Sequence, residues 1–403
     1  MRLTATSALA LAALTAAQPA AAHPTVSDTD RLFHEQMLVL DTHLDTPVLF
    51  ERPGGWDFTR WHEYGWDNSQ VDIPRMEAGG LDGGFFVIYT PQGGLDPVSM
   101  NKARNDALSR AAAIQRVVAA NPEKLAFATT AADVERIHKA GKRIVLQSIE
   151  NSYPLGNDVS LLEYYHRLGV RMAGPTHNGN NQFADSARPR PGDISHRGLS
   201  PLGRAWVAEM NRLGMVIDGS HASDAAIEQM MTLSKTPIVL SHHGPKAVFD
   251  HPRNIDDALM KRLARSGGVM FMNTLFLRPT TSSPARDAIE ERQKKWETLS
   301  DRERQKLVAE HGEVHGREPF AFADLDLFMR SLLHAVKVMG VDHVGLGADW
   351  DGGGGLQEMR DISPLPLITA RLRKEGFADA DIAKILGGNL LRVMRAAEKQ
   401  AAR

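Results

Sequence analysis

The chain contains no cysteine among its 403 residues. This excludes disulfides, thiolate metal ligands, cysteine-ligated iron–sulfur clusters and a cysteine nucleophile. It also lacks any bias of charge. Lys and Arg total 47 and Asp and Glu 49, a formal charge of −2. That balance gives no electrostatic warrant for a nucleic-acid partner or an anionic membrane surface, and no nucleic-acid-binding module is recognisable. Beyond the N-terminus there is no run of about 20 apolar residues of the kind that spans a bilayer. No glycine-rich phosphate loop follows the first apolar segment, as it would in many doubly wound nucleotide-binding folds.

Hydrophobic residues make up 42% of the chain, enough for a sizeable core, and histidine is abundant at 16. Met1-Arg2 opens an Ala/Leu-rich run that ends in Ala20-Ala21-Ala22. A basic start, a short apolar run and small residues at its end are the pattern of a secretory signal peptide. Cleavage after Ala22 is expected, leaving one catalytic domain over residues 23–403, exported and without a membrane anchor. A bacterial periplasm is the expected compartment. The C-terminal Glu398-Lys399-Gln400-Ala401-Ala402-Arg403 offers no hydrophobic lipid-anchor signal.

From Met37 onward, short apolar runs alternate with helical periodicity. Strands are predicted at Met37–Asp41, Gly83–Tyr89, Arg143–Ser148, Val170–Gly174, Met215–Asp218, Ile238–Ser241, Gly268–Met272 and His343–Gly347. Helices are predicted at Ala107–Ala119, Asp133–Ala140, Leu161–Leu168, Pro201–Leu213, Asp224–Leu233, Asp256–Ser266 and Leu325–Val338. Eight β units separated by helices predict an α/β fold of the (β/α)8 barrel type. A polar insertion of about residues 274–321 follows the seventh strand. Its charged segments Glu290–Trp296 and Asp301–His311 predict helices that cover the site or meet another subunit. The run Gly352–Gly355 predicts a flexible lip beside the eighth strand.

A barrel of this kind carries its active site at the C-terminal ends of its strands. Six of the eight predicted strands end there in His, Asp or Glu. The first closes on Asp41-Thr42-His43-Leu44-Asp45, the third on Glu150 and the fourth on His177. The fifth closes on Asp218 and His221, the sixth on His242-His243 and the eighth on Asp349 and Asp351. His43 and Asp45, two apart on extended backbone, face the same way. The inventory suggests two metal ions: His43 and Asp45 on one, His221 and His242 on the other, with Glu150 bridging through its two oxygens. A cysteine-free His/Asp/Glu set suits two Zn2+ best, and Mn2+ or Co2+ also fits. Asp349 is the candidate proton acceptor from an attacking water, and His177 the candidate donor to a developing oxyanion.

Four segments resemble the membrane (renal) dipeptidase family of the amidohydrolase superfamily. They are Asp41-Thr42-His43-Leu44-Asp45; Gly198–Gly203 with the Met210–His221 region; Asp342–Gly352; and Asn389-Leu390-Leu391-Arg392-Val393. The resemblance runs from about Met37 to the C-terminus. It implies that His43, Asp45, Glu150, His221 and His242 are metal ligands, that Asp349 is the acid/base and that His177 contacts the substrate. It also implies that Arg253 reads the substrate's terminal carboxylate, a role suited to the planar fork of Arg. Dipeptides, including those with a C-terminal D residue, are the implied substrates, and a homodimer is a common assembly of the family. Asn151 stands where the family commonly has Gly, and His243 where it commonly has Ser. An N-acyl amino acid, lactone or phosphoester hydrolase would use the same barrel and metals. An exported binding protein without catalysis is the alternative of another class.

Overall fold

The computed structural model describes residues 26–401 except 53, 280–281, 294, 296–297 and 318–321. The expected signal peptide therefore lies outside the described residues, as do Trp296 and Ala321 of the insertion.

Among the described residues nine strands occur in chain order: β1 Leu40–Leu44, β2 Gly83–Ile88, β3 Leu125–Phe127, β4 Arg143–Ile149, β5 Val170–Ala173, β6 Val216–Ile217, β7 Val239–His243, β8 Val269–Met272 and β9 Val344–Leu346. All paired neighbours are parallel. One sheet runs β1-β2-β4-β5-β6 with β3 against the start of β4, and a second runs β7-β8-β9. Two isolated parallel bridges join them, Asp218 to Val239 and Leu44 to Trp350. The backbone confirms both joins: Gly219 N donates to Val239 O at 2.8 Å, and Asp45 N to Trp350 O at 2.9 Å. The curled sheet thus closes into a barrel with two seams, β6–β7 and β9–β1.

The eight expected strands are present, with shifted ends. β1 and β7 extend into the histidine motifs, so His43 and His242 stand on strand backbone rather than in loops. The ninth strand, β3, was not expected.

The strands are buried on both faces because helices cover them outside and side chains fill them inside. Leu40, Phe85, Leu146, Met172, Val216, Val239, Val269 and Phe271 form one buried cluster, which Leu390, Leu391, Val393 and Met394 of the C-terminal helix join. Asn389 locks that helix by donating from Nδ2 to Val341 O and Val344 O, both at 2.8 Å. Arg392 adds bonds to Gly267 O and Asp342 O. Helix Pro201–Leu213 forms as its sequence predicts. Ser200 accepts from Gly203 N at 3.0 Å, Pro201 opens the first turn, and Gly214 ends it in the left-handed region at φ 67°.

Between β8 and β9 lie the helices Pro284–Gln293 and Asp301–Arg317. Ile289, Leu307 and Val314 form a small core between them. The second helix leans on Tyr64–Asp67: a β-carbon on Gly312 would come within 2.5 Å of Trp66 O, so only Gly allows this approach. Among the described residues no helix is long and apolar enough to cross a membrane.

Candidate metal centre

The strand ends bring the predicted residues together around one carboxylate oxygen. Oε1 of Glu150, at the end of β4, lies 3.0 Å from Nε2 of His221 and 3.6 Å from Nε2 of His43. Nε2 of His242 is 3.7 Å away and Nε2 of His177 3.8 Å. The rings crowd as well, with centroids 3.9 Å apart for His43 and His242 and 4.1 Å for His177 and His221. Asp45 Oδ2 and Asp349 Oδ1 approach His43 Nε2 to 3.4 and 4.0 Å. Among the described residues three overlapping donor groups result: His43, Glu150 and His242; Glu150, His177 and His221; His43, Asp45 and Asp349.

This set fits divalent cations. Nε2 of His43 is buried without a hydrogen-bond partner, and an orphaned buried polar atom is costly unless something binds it. His221 and His242 face each other Nε2 to Nε2 at 2.9 Å. Ser241 Oγ gives its proton to Asp218 Oδ2 at 2.6 Å, so at its 2.9 Å contact with His242 Nδ1 it can only accept. His242 is thereby held with its proton on Nδ1 and a lone pair on Nε2, the form a metal requires.

The electrostatics follow from burial. Burial pushes the carboxyls of Glu150 and Asp349 upward, Asp349 to about 6. Burial also lowers His221 and His242 well below the usual imidazole range and His177 to about 3, with the Arg253 charge acting in the same direction. His43 is the exception. Burial opposes its charge, but Asp45, Glu150 and Asp349 outweigh that and raise it to about 10.

Two of these residues occupy backbone that side chains rarely adopt. His221 has φ 67° and Asp349 φ 66°. Such strain persists only where surrounding contacts impose it. Around Asp349 they include Gly354 N, which donates to Asp349 O at 2.8 Å. The loop Gly352–Gly355 is therefore no free lip. Gln70 Nε2 donates to Gly354 O at 2.7 Å, and Gly355 N donates to Thr274 Oγ1 at 2.6 Å. These partners are distant in sequence, so the glycine run alone predicted mobility where the fold supplies anchors.

A cavity of about 360 Å3 opens over the centre, walled in part by Asp45, Tyr89, Glu150, His177, His221 and Asp349. Leu275 and Phe276, in the segment after β8, form another wall. His243 lies away from the donor groups, with Nδ1 3.5 Å from Ser220 Oγ and 3.4 Å from Arg253 Nη1. Arg253 is buried beside His242 and His243, with its guanidinium over the ring of the wall residue Phe276 at 5.5 Å. Its Nη2 reaches His242 O at a long 3.4 Å, and its Nε has no partner. Burial lowers this guanidinium to about 10. The arginine on the wall is Arg188, which the sequence did not single out. It lies in a polar run, Ser186-Ala187-Arg188-Pro189-Arg190, with no pattern to mark it.

Comparison with known proteins identifies the family. Residues 28–403 match the family described as Membrane dipeptidase (Peptidase family M19). Dipeptidase tcpJ of Claviceps purpurea is 30% identical over 337 residues, covering 82% of this chain and 70% of that protein. The crystal structure of the probable dipeptidase PvdM from Pseudomonas aeruginosa superposes with a TM-score of 0.78 at 31% identity, covering 93% of this chain and 98% of PvdM. A metallopeptidase from Rhodobacter sphaeroides, solved with a phosphinate mimic of the dipeptide L-Ala-D-Ala, gives a TM-score of 0.71 at 26% identity, covering 90% and 99%. The chain belongs to the membrane dipeptidase family, peptidase family M19, and is a metallodipeptidase of that family.

Proposed function

We propose that the chain is an exported binuclear zinc dipeptidase that hydrolyses L-L and L-D dipeptides. The observation that carries this is Glu150 Oε1, which four imidazole Nε2 atoms surround within 3.8 Å. His43 and Asp45 would hold one ion, His221 and His242 the other, and Glu150 would bridge them. When bound, two such ions supply an activated water at neutral pH and polarise the scissile carbonyl.

The protein's own groups do the rest. Asp349, raised to about 6, is basic enough to take a proton near neutral pH and acidic enough to return it to the leaving amine. His177, lowered to about 3, stays neutral and keeps one N–H to offer the developing oxyanion. Arg253 has an unbonded Nε and long bonds elsewhere, which suits a substrate carboxylate as the missing partner. Arg188 adds a second cation at the wall. The relative from Rhodobacter sphaeroides, bound to a mimic of L-Ala-D-Ala, supports acceptance of a C-terminal D residue. Export rests on the N-terminal sequence pattern, and the periplasm is the proposed compartment.

The test is to count zinc per purified chain and to assay panels of L-L and L-D dipeptides. About two ions and turnover in both panels is the expected result. Two ions without dipeptide turnover would move the substrate to another amide or ester.

A further inference from the structure

The barrel has two seams at which regular pairing between strands gives way to a single bridge, β6–β7 and β9–β1. A buried aspartate stitches each. At the first, Asp218 Oδ1 accepts from Ser220 N and from Ser241 N across the seam, both at 2.9 Å. At the second, Asp41 Oδ1 accepts from His43 N at 2.8 Å, and Oδ2 accepts from Ala348 N across the seam at 3.0 Å. Both aspartates are almost completely buried, at 3% and 2% exposure. The pattern is the same twice: a carboxylate holds the residue two positions on and reaches over to the facing segment.

The candidate ligands flank these seams. His221 follows Ser220 and His242 follows Ser241, so Asp218 fixes the backbone immediately before both. Asp41 fixes the backbone of His43 itself and that of Ala348, immediately before Asp349. Asp218 goes further through Ser241 Oγ, which sets the tautomer of His242. Carboxylates that orient ligating histidines in this way raise metal affinity.

We propose that Asp218 and Asp41 are paired positioning residues, one per seam: Asp218 sets the His221–His242 half of the metal centre, and Asp41 sets the His43–Asp349 half. This rests on the binuclear reading given above. The division follows from connectivity, since no hydrogen bond made by either aspartate reaches the backbone of the other half.

The decisive variant is Ser241→Ala. It cuts only the hydroxyl relay to His242 and leaves both backbone bonds to Asp218 Oδ1, so the seam stays closed. The readout is binding of Zn2+, and of Co2+ by its visible absorption, in competition with a chelator. In Ser241→Ala one of two ions should bind 10- to 100-fold more weakly while the other is unchanged. Ser241→Thr, which keeps a hydroxyl, should restore it. Asp41→Asn should weaken the other ion, so that a different Co2+ band is lost first. Wild-type affinity for both ions in Ser241→Ala overturns this inference alone, as does equal weakening of both ions. Fewer than two ions on the wild-type chain overturns the binuclear reading and this inference with it.

Discussion

Gly352 is packed so closely against Asp349 that a β-carbon on it would overlap the Oδ1 of that carboxylate, and Oδ2 of Asp45 as well. The glycine is required by contact rather than by backbone angle. Gly352→Ala should therefore push both carboxylates off their positions while leaving the barrel intact. Displacements near 1 Å at a reacting centre cost about 100-fold in rate. The expected result is a loss of that order in kcat/KM with a native circular dichroism spectrum. Wild-type turnover in this variant would show that the carboxylates tolerate displacement.

The residues that were legible in the sequence share a physical reason. Strands buried on both faces read as short apolar runs, and barrel topology places their polar ends on one rim, so His43, Glu150, His221, His242 and Asp349 could be gathered before any coordinates. What was not legible depends on contacts distant in sequence. β3 has three residues, of which only Leu125 is fully buried, too little to stand out. The anchors of the glycine loop, Gln70 and Thr274, lie far from it in the chain. Arg188 becomes notable only because the fold aims its segment at the cavity. The seam roles of Asp41 and Asp218 need the order of strands around the barrel, which periodicity does not contain.

Asp349 is buried and raised to about 6, and it faces the cavity from strained backbone. Replacement by Asn keeps the shape and removes the proton acceptor. Asp349→Asn should lower kcat by roughly 100- to 10,000-fold, the range of general acid–base catalysis. The count of bound zinc should remain near that of the wild type. Equal turnover in the variant would remove Asp349 from proton transfer.

The two arginines are separable by substrate. Arg253 is buried with an unmet donor, whereas Arg188 is exposed at the wall. A buried charged bond worth about 1.5–3 kcal/mol corresponds to roughly 10- to 100-fold in binding. Arg253→Met should raise KM by that factor for dipeptides with a free carboxylate and have little effect on C-terminally amidated dipeptides. Arg188→Met should show the same preference at only a few-fold, because solvent screens its charge. If amidated and free substrates suffer alike in Arg253→Met, the residue supports the histidines and does not read the carboxylate.

Metal removal leaves Asp45, Glu150 and Asp349 facing one another around His43. Chelation should abolish turnover and lower the unfolding temperature by a few degrees, since an ion at about 100 times its Kd stabilises the fold by roughly 2.7 kcal/mol. Zinc should restore both. A melting curve indifferent to chelator would mean that the centre binds ions too weakly to matter.

A pH-dependent contribution to stability arises far from the metal centre, at His34. The ring is fully buried, with Nε2 donating to Gly79 O at 3.0 Å and Nδ1 accepting from Thr369 Oγ1 at 2.7 Å. Burial lowers the imidazole from 6.5 to about 4, against the Gly79 carbonyl, whose bond favours the charged ring, and acceptance from Thr369 at Nδ1 needs the neutral form. The unfolded chain takes up a proton first as pH falls. The contribution is thus fully present above about pH 6.5, is lost between there and about pH 4, and is constant below. A shift of this size corresponds to at most roughly 3.5 kcal/mol. His34→Gln retains a donor for Gly79 and cannot titrate. The difference in unfolding free energy between wild type and His34→Gln should therefore shrink, or change sign, from pH 7 to pH 4. Other histidines and the metal centre titrate equally in both proteins and cancel from this difference. Parallel stability curves across that range would mean that His34 is protonated without cost in the folded state, and that its burial does not select the neutral form.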